Sequence, residues 1–329
     1  MQSLGQDHVS HLPQAMMPRN DGIDLDIGWL RSVRVNSAAV HRRAAALPGV
    51  RRVSKDNKAR WLCRAIACMD LTTLSGDDTA DRVRRLCAKA RHPLRPDLAQ
   101  DLGQEALTVA AICVYHEMIE PARAALEGSG IPVAAVSTGF PAGLSPFHLR
   151  VAEIEESVSA GAQEIDIVIS RRHVLEGKWQ ALYDELRAFR AACGPAHMKA
   201  ILATGELGDL RNVARASLVA MMAGTDFIKT STGKEPVNAT LPVGLVMLRM
   251  IRAYHARTGW RVGMKPAGGI SRANDALTWL IMVNEELGAP WLSPDLFRFG
   301  ASSLLGDIEQ ELDRMISGHG SVGWRHAMG

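Results

Sequence analysis

The feature that most constrains the fold is a regular alternation of short apolar runs with longer amphipathic segments along most of the chain. Short apolar runs predict buried strands, and the segments between them, with apolar residues at helical spacing, predict helices. Eight runs occur, at residues 65–72, 107–115, 131–138, 163–170, 197–204, 225–232, 260–267 and 296–303. Eight βα units over about 250 residues predict an α/β fold, a closed (β/α)8 TIM barrel. An open doubly wound sheet is the alternative, although no G-x-G-x-x-G follows the first run.

The position of these runs divides the chain into four predicted parts. Residues 1–22 contain Pro13, Pro18 and Gly22 and are predicted to be poorly ordered. Residues 23–60 are predicted to form an N-terminal helical extension of short helices that end at Pro48-Gly49. Residues 61–316 then form the catalytic barrel, and residues 317–329 form a flexible C-terminal tail.

Charge and cysteine content narrow the class of protein. Between Arg31 and Arg60 there are nine Lys or Arg and one acid, interrupted by Ala and Leu at helical spacing. This pattern favours a solvated basic helix face over a polyanion-binding arm. The formal charge of the whole chain is only +3 and no apolar run approaches a membrane span, so neither nucleic acid nor a membrane is an expected partner. The five scattered cysteines and the polar start predict reduced thiols and a cytoplasmic protein.

The alternation of side chains along four predicted strands places ionisable groups inside the barrel. In "QEIDIVIS" the isoleucines share one face and suit the helix-covered outside, so Asp166 points inward, on the face of Glu164 and Val168. By analogy, Lys199, Lys229 and Lys265 point inward from the fifth, sixth and seventh strands. The phase argument therefore predicts three lysines and an aspartate that converge inside the barrel.

Such a cluster has two interpretations. Strand-end lysines can reach solvent or form structural ion pairs with neighbouring acids. Several cations buried together instead disfavour one another's protonated states, and a neutral, partly desolvated lysine can attack a carbonyl to form a Schiff base. A nearby carboxylate and a second lysine would then supply the proton transfers. On these residues alone, an amine nucleophile and a structural ion-pair network remain open.

Three strand-end loops predict a phosphate site. They are "STGK" (231–234), "PAGGIS" (266–271) and "GASS" (300–303), in which glycines expose backbone amides and Ser and Lys add donors. Loops after the seventh and eighth strands are a frequent phosphate site of barrel enzymes. "STGK" is not a P-loop, because the first glycine upstream of Gly233 is Gly224, nine positions away.

Cysteine and histidine give little evidence for other chemistry. Cys113 near the end of the second run could line the site as a thiol, but a small buried hydrophobe is the simpler interpretation. The eleven histidines show no H-E-x-x-H or paired spacing. We therefore expect no metal and no organic cofactor.

In its ordered set of motifs, the chain resembles the deoxyribose-phosphate aldolase family of class I aldolases, in its longer, eukaryotic-type branch. The matching stretches are "MDLTTLSGDDT" (69–79), "AAICVY" (110–115), "STGFPAG" (137–143), "EIDIVI" (164–169), "ILATGELG" (201–208), "DFIKTSTGK" (226–234), "VNAT" (237–240), "MKPAGGI" (264–270) and "RFGASSLL" (298–305).

The resemblance implies residue roles, substrate and reaction. It implies that Lys229 is the Schiff-base lysine, that Lys265 favours its neutral amine, and that Asp166 relays protons. It implies that the pocket is lined by Asp70, Thr72, Cys113, Lys199 and Thr232, and that the phosphate is held by Gly233, Lys234, Gly268, Gly269, Gly300, Ser302 and Ser303. The implied reaction is reversible aldol cleavage of 2-deoxy-D-ribose 5-phosphate to D-glyceraldehyde 3-phosphate and acetaldehyde, in deoxyribonucleoside catabolism.

Two rival functions share part of this pattern. A lysine-dependent aldolase for a keto-acid sugar would need extra cations for a substrate carboxylate, and the strand-end arginines are Arg171, Arg172 and Arg298. A catalytically silent sugar-phosphate-binding protein would not need the lysine cluster. The expected partners are thus a small phosphorylated sugar and acetaldehyde, and a homodimer is left open.

Overall fold

Eight parallel strands form the centre of the protein in a computed structural model that describes residues 19–50 and 53–319. Each strand lies within one of the eight apolar runs identified in the sequence. The strands are β1 (Met69–Thr72), β2 (Ala111–Val114), β3 (Val133–Ser137), β4 (Glu164–Val168), β5 (His197–Ile201), β6 (Phe227–Lys229), β7 (Gly263–Lys265) and β8 (Phe299–Ala301).

The sheet closes on itself. Each strand pairs in parallel with the next in the chain from β1 to β7, and β1 also pairs with β8. Parallel bridges from Met264 to Phe297 and from Ala267 to Gly300 join the β7 and β8 segments and complete the ring. The predicted closed (β/α)8 barrel is therefore confirmed, and the open-sheet alternative is wrong.

Thirteen α-helices are found in the described part of the chain, and most of them surround the barrel. They are α1 (Ile27–Ser32), α2 (Ser37–Val50), α3 (Lys55–Ala67), α4 (Ala80–Arg91), α5 (Pro96–Leu102), α6 (Ile119–Ala125), α7 (Phe147–Ser159), α8 (Arg171–Leu175), α9 (Trp179–Cys193), α10 (Leu210–Met222), α11 (Leu241–Thr258), α12 (Ala273–Leu287) and α13 (Leu304–Ser317). None of the helices in these ranges is long and apolar enough to cross a membrane.

The first apolar run differs from its prediction as a strand. Its residues 65–67 belong to α3, and β1 begins only at Met69. Leu62, Ala65 and Ile66 are fully buried against the barrel, so this helix face has the composition of a strand. A short apolar run does not distinguish a buried helix from a buried strand. Because α3 spans residues 55–67, the predicted boundary at residue 60/61 falls inside a helix.

The N-terminal segment also differs from its prediction at residues 19–22. The Asn20 side chain is buried, donates to the carbonyls of Met221 and Thr225 at 2.7 and 3.0 Å, and accepts from the Tyr254 hydroxyl at 3.0 Å. These bonds attach the segment before α1 to α10 and α11, because buried polar groups require partners. Residues 1–18 of the predicted disordered segment and residues 320–329 of the predicted tail lie outside the described ranges.

The basic stretch partly faces the barrel helices. Arg43 of α2 forms a salt bridge with Glu285 of α12, and Lys58 of α3 pairs with Glu311 of α13 at 2.5 Å. The predicted helical extension, residues 23–60, thus contributes two cations that pair with acids on the helices around the barrel. These pairs reduce the number of charges that the basic face presents to solvent.

Candidate active site

The barrel interior contains the cluster of lysines and carboxylates that the strand phase predicts. Asp166 and Lys199 are neighbours in the β4–β5 register, and Lys229 and Lys265 are neighbours in the β6–β7 register. The isoleucines at 165 and 167 are buried in the core shared with the helices. The two-residue period of the strand therefore turns Asp166 toward the barrel axis.

Asp166 lies at the centre of this cluster. Its Oδ2 accepts hydrogen bonds from Lys229 Nζ and Lys265 Nζ, both at 2.8 Å, and its Oδ1 lies 3.2 Å from Lys199 Nζ. Complete burial disfavours the ionised carboxylate, but the three lysines outweigh this effect and hold the pKa of Asp166 well below its usual range. Asp166 is therefore an anion in contact with the side chains of all three lysines.

Asp70 on β1 is the second buried carboxylate of the cluster. Its Oδ2 lies 2.5 Å from Lys265 Nζ and 3.4 Å from Lys199 Nζ. Burial alone would lower the pKa of Lys265, but the attraction of Asp166 and Asp70 is larger. The pKa of Lys265 is therefore raised above its usual value. The same balance lowers the pKa of Asp70 below its usual value. Lys265 is thus a protonated, fully buried cation adjacent to Lys229.

Sequence reasoning missed two members of this network, Glu164 and Arg298. The Arg298 guanidinium donates to Asp70 Oδ1 at 2.5 Å and to Glu164 Oε1 at 2.9 Å, and Lys199 donates to Glu164 Oε2. The sequence contains evidence that both residues point into the barrel. Glu164 shares the inward phase of Asp166, and Arg298 is two residues from Gly300, which packs against the side chain of Lys265.

The network is layered along the barrel axis. Glu164 is the first residue of β4 and Arg298 directly precedes β8, whereas Lys229 is the last residue of β6. Lys229 is 3% exposed, while Lys199 and Lys265 are fully buried. Within the described barrel, four cations face three carboxylates, and Lys229 contacts only Asp166 among them. Lys229 is therefore placed at the open, C-terminal end of the barrel, where TIM-barrel active sites lie.

An apolar wall lies beside the charged cluster. Cys113 packs with Ala134 and Val136 of β3, and Tyr115 and Phe140 extend this wall with an edge-to-face contact of 5.7 Å between ring centroids. Burial raises the pKa of the Cys113 thiol, so Cys113 is a neutral hydrophobe at this position. Thr72 is half-buried at the end of β1 and its hydroxyl donates to the Asp70 carbonyl at 2.8 Å.

The loop after β6 differs from the simple anion grip predicted for it. Its buried Glu235 side chain accepts from the amides of Thr232 and Gly233 at 3.0 and 3.2 Å and from the Thr232 hydroxyl at 2.7 Å. An internal carboxylate thus takes the amide that Gly233 was expected to offer to a phosphate, and it also binds the amide and hydroxyl of Thr232, which was predicted to line the pocket. Lys234 is exposed and lines a cleft of about 400 Å³ together with Arg171 and Arg172.

The loops after β7 and β8 lie next to each other. The bridge between Ala267 and Gly300 aligns them, and Gly268 and Gly269 have φ of +78° and +81°, which favour glycine. Ser302 and Ser303 are exposed immediately before α13, a 14-residue helix. Free backbone amides and a helix N-terminus attract anions, so this end of the barrel is suited to a phosphate.

Gly300 has a separate steric role. A Cβ at this position would lie 2.8 Å from Ala267 Cβ and 3.3 Å from Lys265 Cε. The absence of a side chain at residue 300 therefore leaves room for the Lys265 side chain to cross the barrel. This packing connects the predicted phosphate residue Gly300 to the lysine cluster.

Comparisons with known proteins identify the family of the chain. The model of the DeoC/LacD family aldolases matches residues 64–308. The deoxyribose-phosphate aldolase of Mus musculus is 56% identical over 301 residues, which cover 90% of this chain and 95% of the mouse protein. The deoxyribose-phosphate aldolase of Bos taurus is 53% identical over 307 residues, which cover 92% of this chain and 96% of the bovine protein.

Solved structures show the same fold at lower identity. A putative deoxyribose-phosphate aldolase from Toxoplasma gondii superposes with a TM-score of 0.66 at 22% identity, over 83% of this chain and all (100%) of that chain. A tetrameric deoxyribose phosphate aldolase from Aeropyrum pernix superposes with a TM-score of 0.56 at 20% identity, over 81% and 100% of the two chains. With a family match over most of its length and relatives at this identity, the chain belongs to the DeoC/LacD family of aldolases.

Proposed function

We propose that the protein catalyses the reversible cleavage of 2-deoxy-D-ribose 5-phosphate to D-glyceraldehyde 3-phosphate and acetaldehyde, through a Schiff base on Lys229. The single observation that carries this proposal is the pair of lysines on one carboxylate oxygen, Lys229 and Lys265 on Asp166. Two ammonium groups that share one partner repel each other, and loss of one proton relieves that repulsion. Relatives named for this aldolase activity support the choice of substrate.

The charge count of the barrel favours Lys229 as the amine that loses its proton. With every group ionised, four cations and three carboxylates leave one positive charge uncompensated in a buried site, which is unfavourable. Lys265 contacts two carboxylates and Lys199 contacts three, whereas Lys229 contacts one. Lys229 therefore contacts the fewest carboxylates, and it is the only one of the three lysines that is not fully buried.

In the cleavage direction, the neutral Lys229 amine adds to the C1 aldehyde of the open-chain sugar. Loss of water from the carbinolamine gives an iminium, which withdraws electrons from the C2–C3 bond. A base removes the C3 hydroxyl proton, the C2–C3 bond breaks, and glyceraldehyde 3-phosphate leaves. The remaining enamine takes a proton at C2, and water hydrolyses the resulting iminium to acetaldehyde and free Lys229.

The contact between Asp166 and Lys229 supports a role for Asp166 in transferring protons to and from the nitrogen during these steps. Its Oδ2 contacts Lys229 Nζ, and its low pKa makes it an ionised acceptor at neutral pH. Such a strongly stabilised carboxylate is a weak base by itself, so we propose that it relays protons through water and the adjacent lysines rather than holding them. Cys113 and the aromatic pair contribute an apolar wall beside the two-carbon fragment.

The phosphate is proposed to bind where the loops after β7 and β8 meet. Gly268 and Gly269 present backbone at positive φ, and Ser302 and Ser303 precede the N-terminus of α13. Lys234 is exposed at the rim and can approach a phosphate from the β6 loop. Gly233 is assigned a smaller part, because its amide already donates to Glu235.

The keto-acid alternative is disfavoured by the partners of the nearby arginines. Arg298 is buried and bonded to Asp70 and Glu164. Arg171 donates to the carbonyls of Ala142 and Pro141 and pairs with Glu206. These two are therefore engaged by internal partners, and the third strand-end arginine, Arg172, is exposed in the cleft beside Lys234 and is not covered by this argument. For the wider setting, a role in deoxyribonucleoside catabolism, a cytoplasmic location and a possible homodimer remain predictions.

Substrate turnover is the direct test of this function. The purified protein is incubated with 2-deoxy-D-ribose 5-phosphate in the presence of a chelator, and acetaldehyde and glyceraldehyde 3-phosphate are quantified separately. We expect equimolar products, with no effect of the chelator. A Lys229→Met variant is expected to lose turnover, whereas Lys178→Met on the exposed surface serves as the matched control. Equal turnover by the Lys229→Met variant and the parent would contradict the proposal.

A further inference from the structure

The base of the barrel contains an arginine that the aldol mechanism does not use. Arg298 is 1% exposed, and its guanidinium bonds to Asp70 on β1, to Glu164 on β4 and to the carbonyl of Pro294. Its Cζ also lies 5.7 Å from the ring centroid of Phe227. Burying a guanidinium is costly unless its hydrogen bonds are satisfied, and these contacts satisfy several of them.

Arg298 is connected to Lys229 by a continuous chain of ionic contacts. Arg298 contacts Asp70 at 2.5 Å, Asp70 contacts Lys265 at 2.5 Å, and Lys265 contacts Asp166 at 2.8 Å. Asp166 then contacts Lys229, also at 2.8 Å. A second route runs from Arg298 through Glu164 to Lys199 and from there to Asp166. Arg298 therefore acts on the nucleophile only through other groups.

Arg298 differs from the lysines in one chemical respect. A guanidinium does not lose its proton in a protein, whereas each buried lysine can become a neutral amine. If the fourth cation were a lysine, the surplus proton could leave from the base of the barrel instead of from Lys229. With arginine at residue 298, one positive charge is fixed at the end of the cluster far from the open face. The surplus proton must then leave from one of the lysines.

We propose that Arg298 is a positioning residue that maintains the positive surplus of the barrel cluster and thereby directs the missing proton to Lys229. This inference rests on the proposed Schiff-base function and deepens it. The charged or titratable groups around Lys229 and Arg298 are Cys68 and Asp295 near the start of the barrel, Asp70 of β1, Cys113 of β2, Glu164 and Asp166 of β4, Lys199 of β5 and Lys265 of β7. His197 of β5 lies beside Glu164 and Lys199.

Single substitutions of Arg298 and of its ion-pair partner Glu164 are expected to shift the pH dependence of kcat/KM in opposite directions. Arg298→Met removes one positive charge, so Lys229 holds its proton more strongly and the acid limb of kcat/KM moves to higher pH. Glu164→Gln removes one negative charge, so the same limb moves to lower pH. At the separations and dielectric constant of a barrel interior, each shift is expected to be about one pH unit.

The double variant Arg298→Met/Glu164→Gln restores the charge difference of the parent and is expected to return the limb toward the parent position. Arg298→Met leaves Asp70 and Glu164 each with Lys199 as a cationic partner, which favours folding of this variant. In Arg298→Lys the surplus proton can leave from residue 298 instead of from Lys229, so the acid limb of this variant is expected to move to higher pH. If Arg298→Lys is the only soluble variant at residue 298, an unchanged limb would overturn the inference.

The experiment measures the rate at which borohydride traps acetaldehyde on the full-length protein between about pH 5 and 9, alongside kcat/KM, with the fold checked by circular dichroism. Opposite shifts for the two single variants and recovery in the double variant support the inference. Loss of activity in both variants with unchanged limbs, or shifts of the same sign, would overturn it and assign Arg298 a structural role only. Absence of any adduct on the parent protein would instead contradict the Schiff-base function itself.

Discussion

Replacement of Lys265 by methionine removes the cation adjacent to the proposed nucleophile while approximately preserving side-chain volume. Lys229 and Lys265 each lie 2.8 Å from Asp166 Oδ2, so their nitrogens are at most twice that distance apart. At ~5.6 Å and an effective dielectric constant of about 20, two positive charges repel by about 3 kcal/mol. Removal of this repulsion favours protonated Lys229 by about 100-fold.

The expected result for Lys265→Met is therefore a loss of about 100-fold in kcat/KM at neutral pH, with partial recovery as the pH rises. The assay combines the pH profile of cleavage with the rate of acetaldehyde trapping by borohydride. Lys178→Met provides the control, because it makes the same chemical change on a side chain that is 62% exposed. A Lys265→Met protein that is folded and traps acetaldehyde at the parent rate at pH 7 would refute the electrostatic reasoning.

Three further predictions concern the phosphate, the N-terminal segment and acid stability. Gly268→Ala puts a Cβ 2.7 Å from Asn238 Cβ at a φ of +78°. The resulting shift of the loop should raise KM for the phosphorylated sugar about 10-fold. An equal rise for unphosphorylated deoxyribose would contradict the assignment of this loop to the phosphate. Asn20→Ala loses the hydrogen bonds to Met221, Thr225 and Tyr254. Urea denaturation should therefore show a free energy of unfolding lower by about 2–3 kcal/mol, with activity retained. An unchanged denaturation midpoint would mean that this segment contributes no stability. The lowered pKa values of Asp70, Glu164 and Asp166 and of the partly buried His197 mean that the unfolded chain binds protons first. The free energy of unfolding should therefore decline slightly below about pH 6.5, where His197 of the unfolded chain is protonated, and fall further below about pH 4; a stability that rises on acidification would have the wrong sign.

The number of strands and the inward-facing groups could be predicted from the sequence because the apolar runs recur along the chain and side chains alternate within each strand. Alternating isoleucines in β4 fix the phase of Asp166, and parallel strands of a barrel bring equivalent positions together. The same reasoning identified Lys199, Lys229 and Lys265 as members of one cluster. Arg298 was missed because it precedes the three-residue strand β8 and lies between two phenylalanines, which indicate an apolar core. The phase visible at Gly300 would have placed Arg298 inside.

Other features could not be read from local pattern. The apolar run before β1 is a buried face of α3, and composition does not separate that case from a strand. The Pro, Asn and Gly around residue 20 indicate a loop, but the hydrogen bonds of Asn20 join it to residues about 200 positions away. Glu235 was assigned no role, because its bonds to Thr232 and Gly233 depend on the folded turn of the loop.

The central claim, that Lys229 is the nucleophile, is tested most directly by identifying the lysine that acetaldehyde modifies. The full-length protein is incubated with acetaldehyde, reduced with borohydride, digested and mapped by mass spectrometry. We predict the mass of one added ethyl group on Lys229, and no comparable modification of Lys199 or Lys265. An adduct confined to Lys199 or Lys265, or a protein that remains unmodified, would contradict the account.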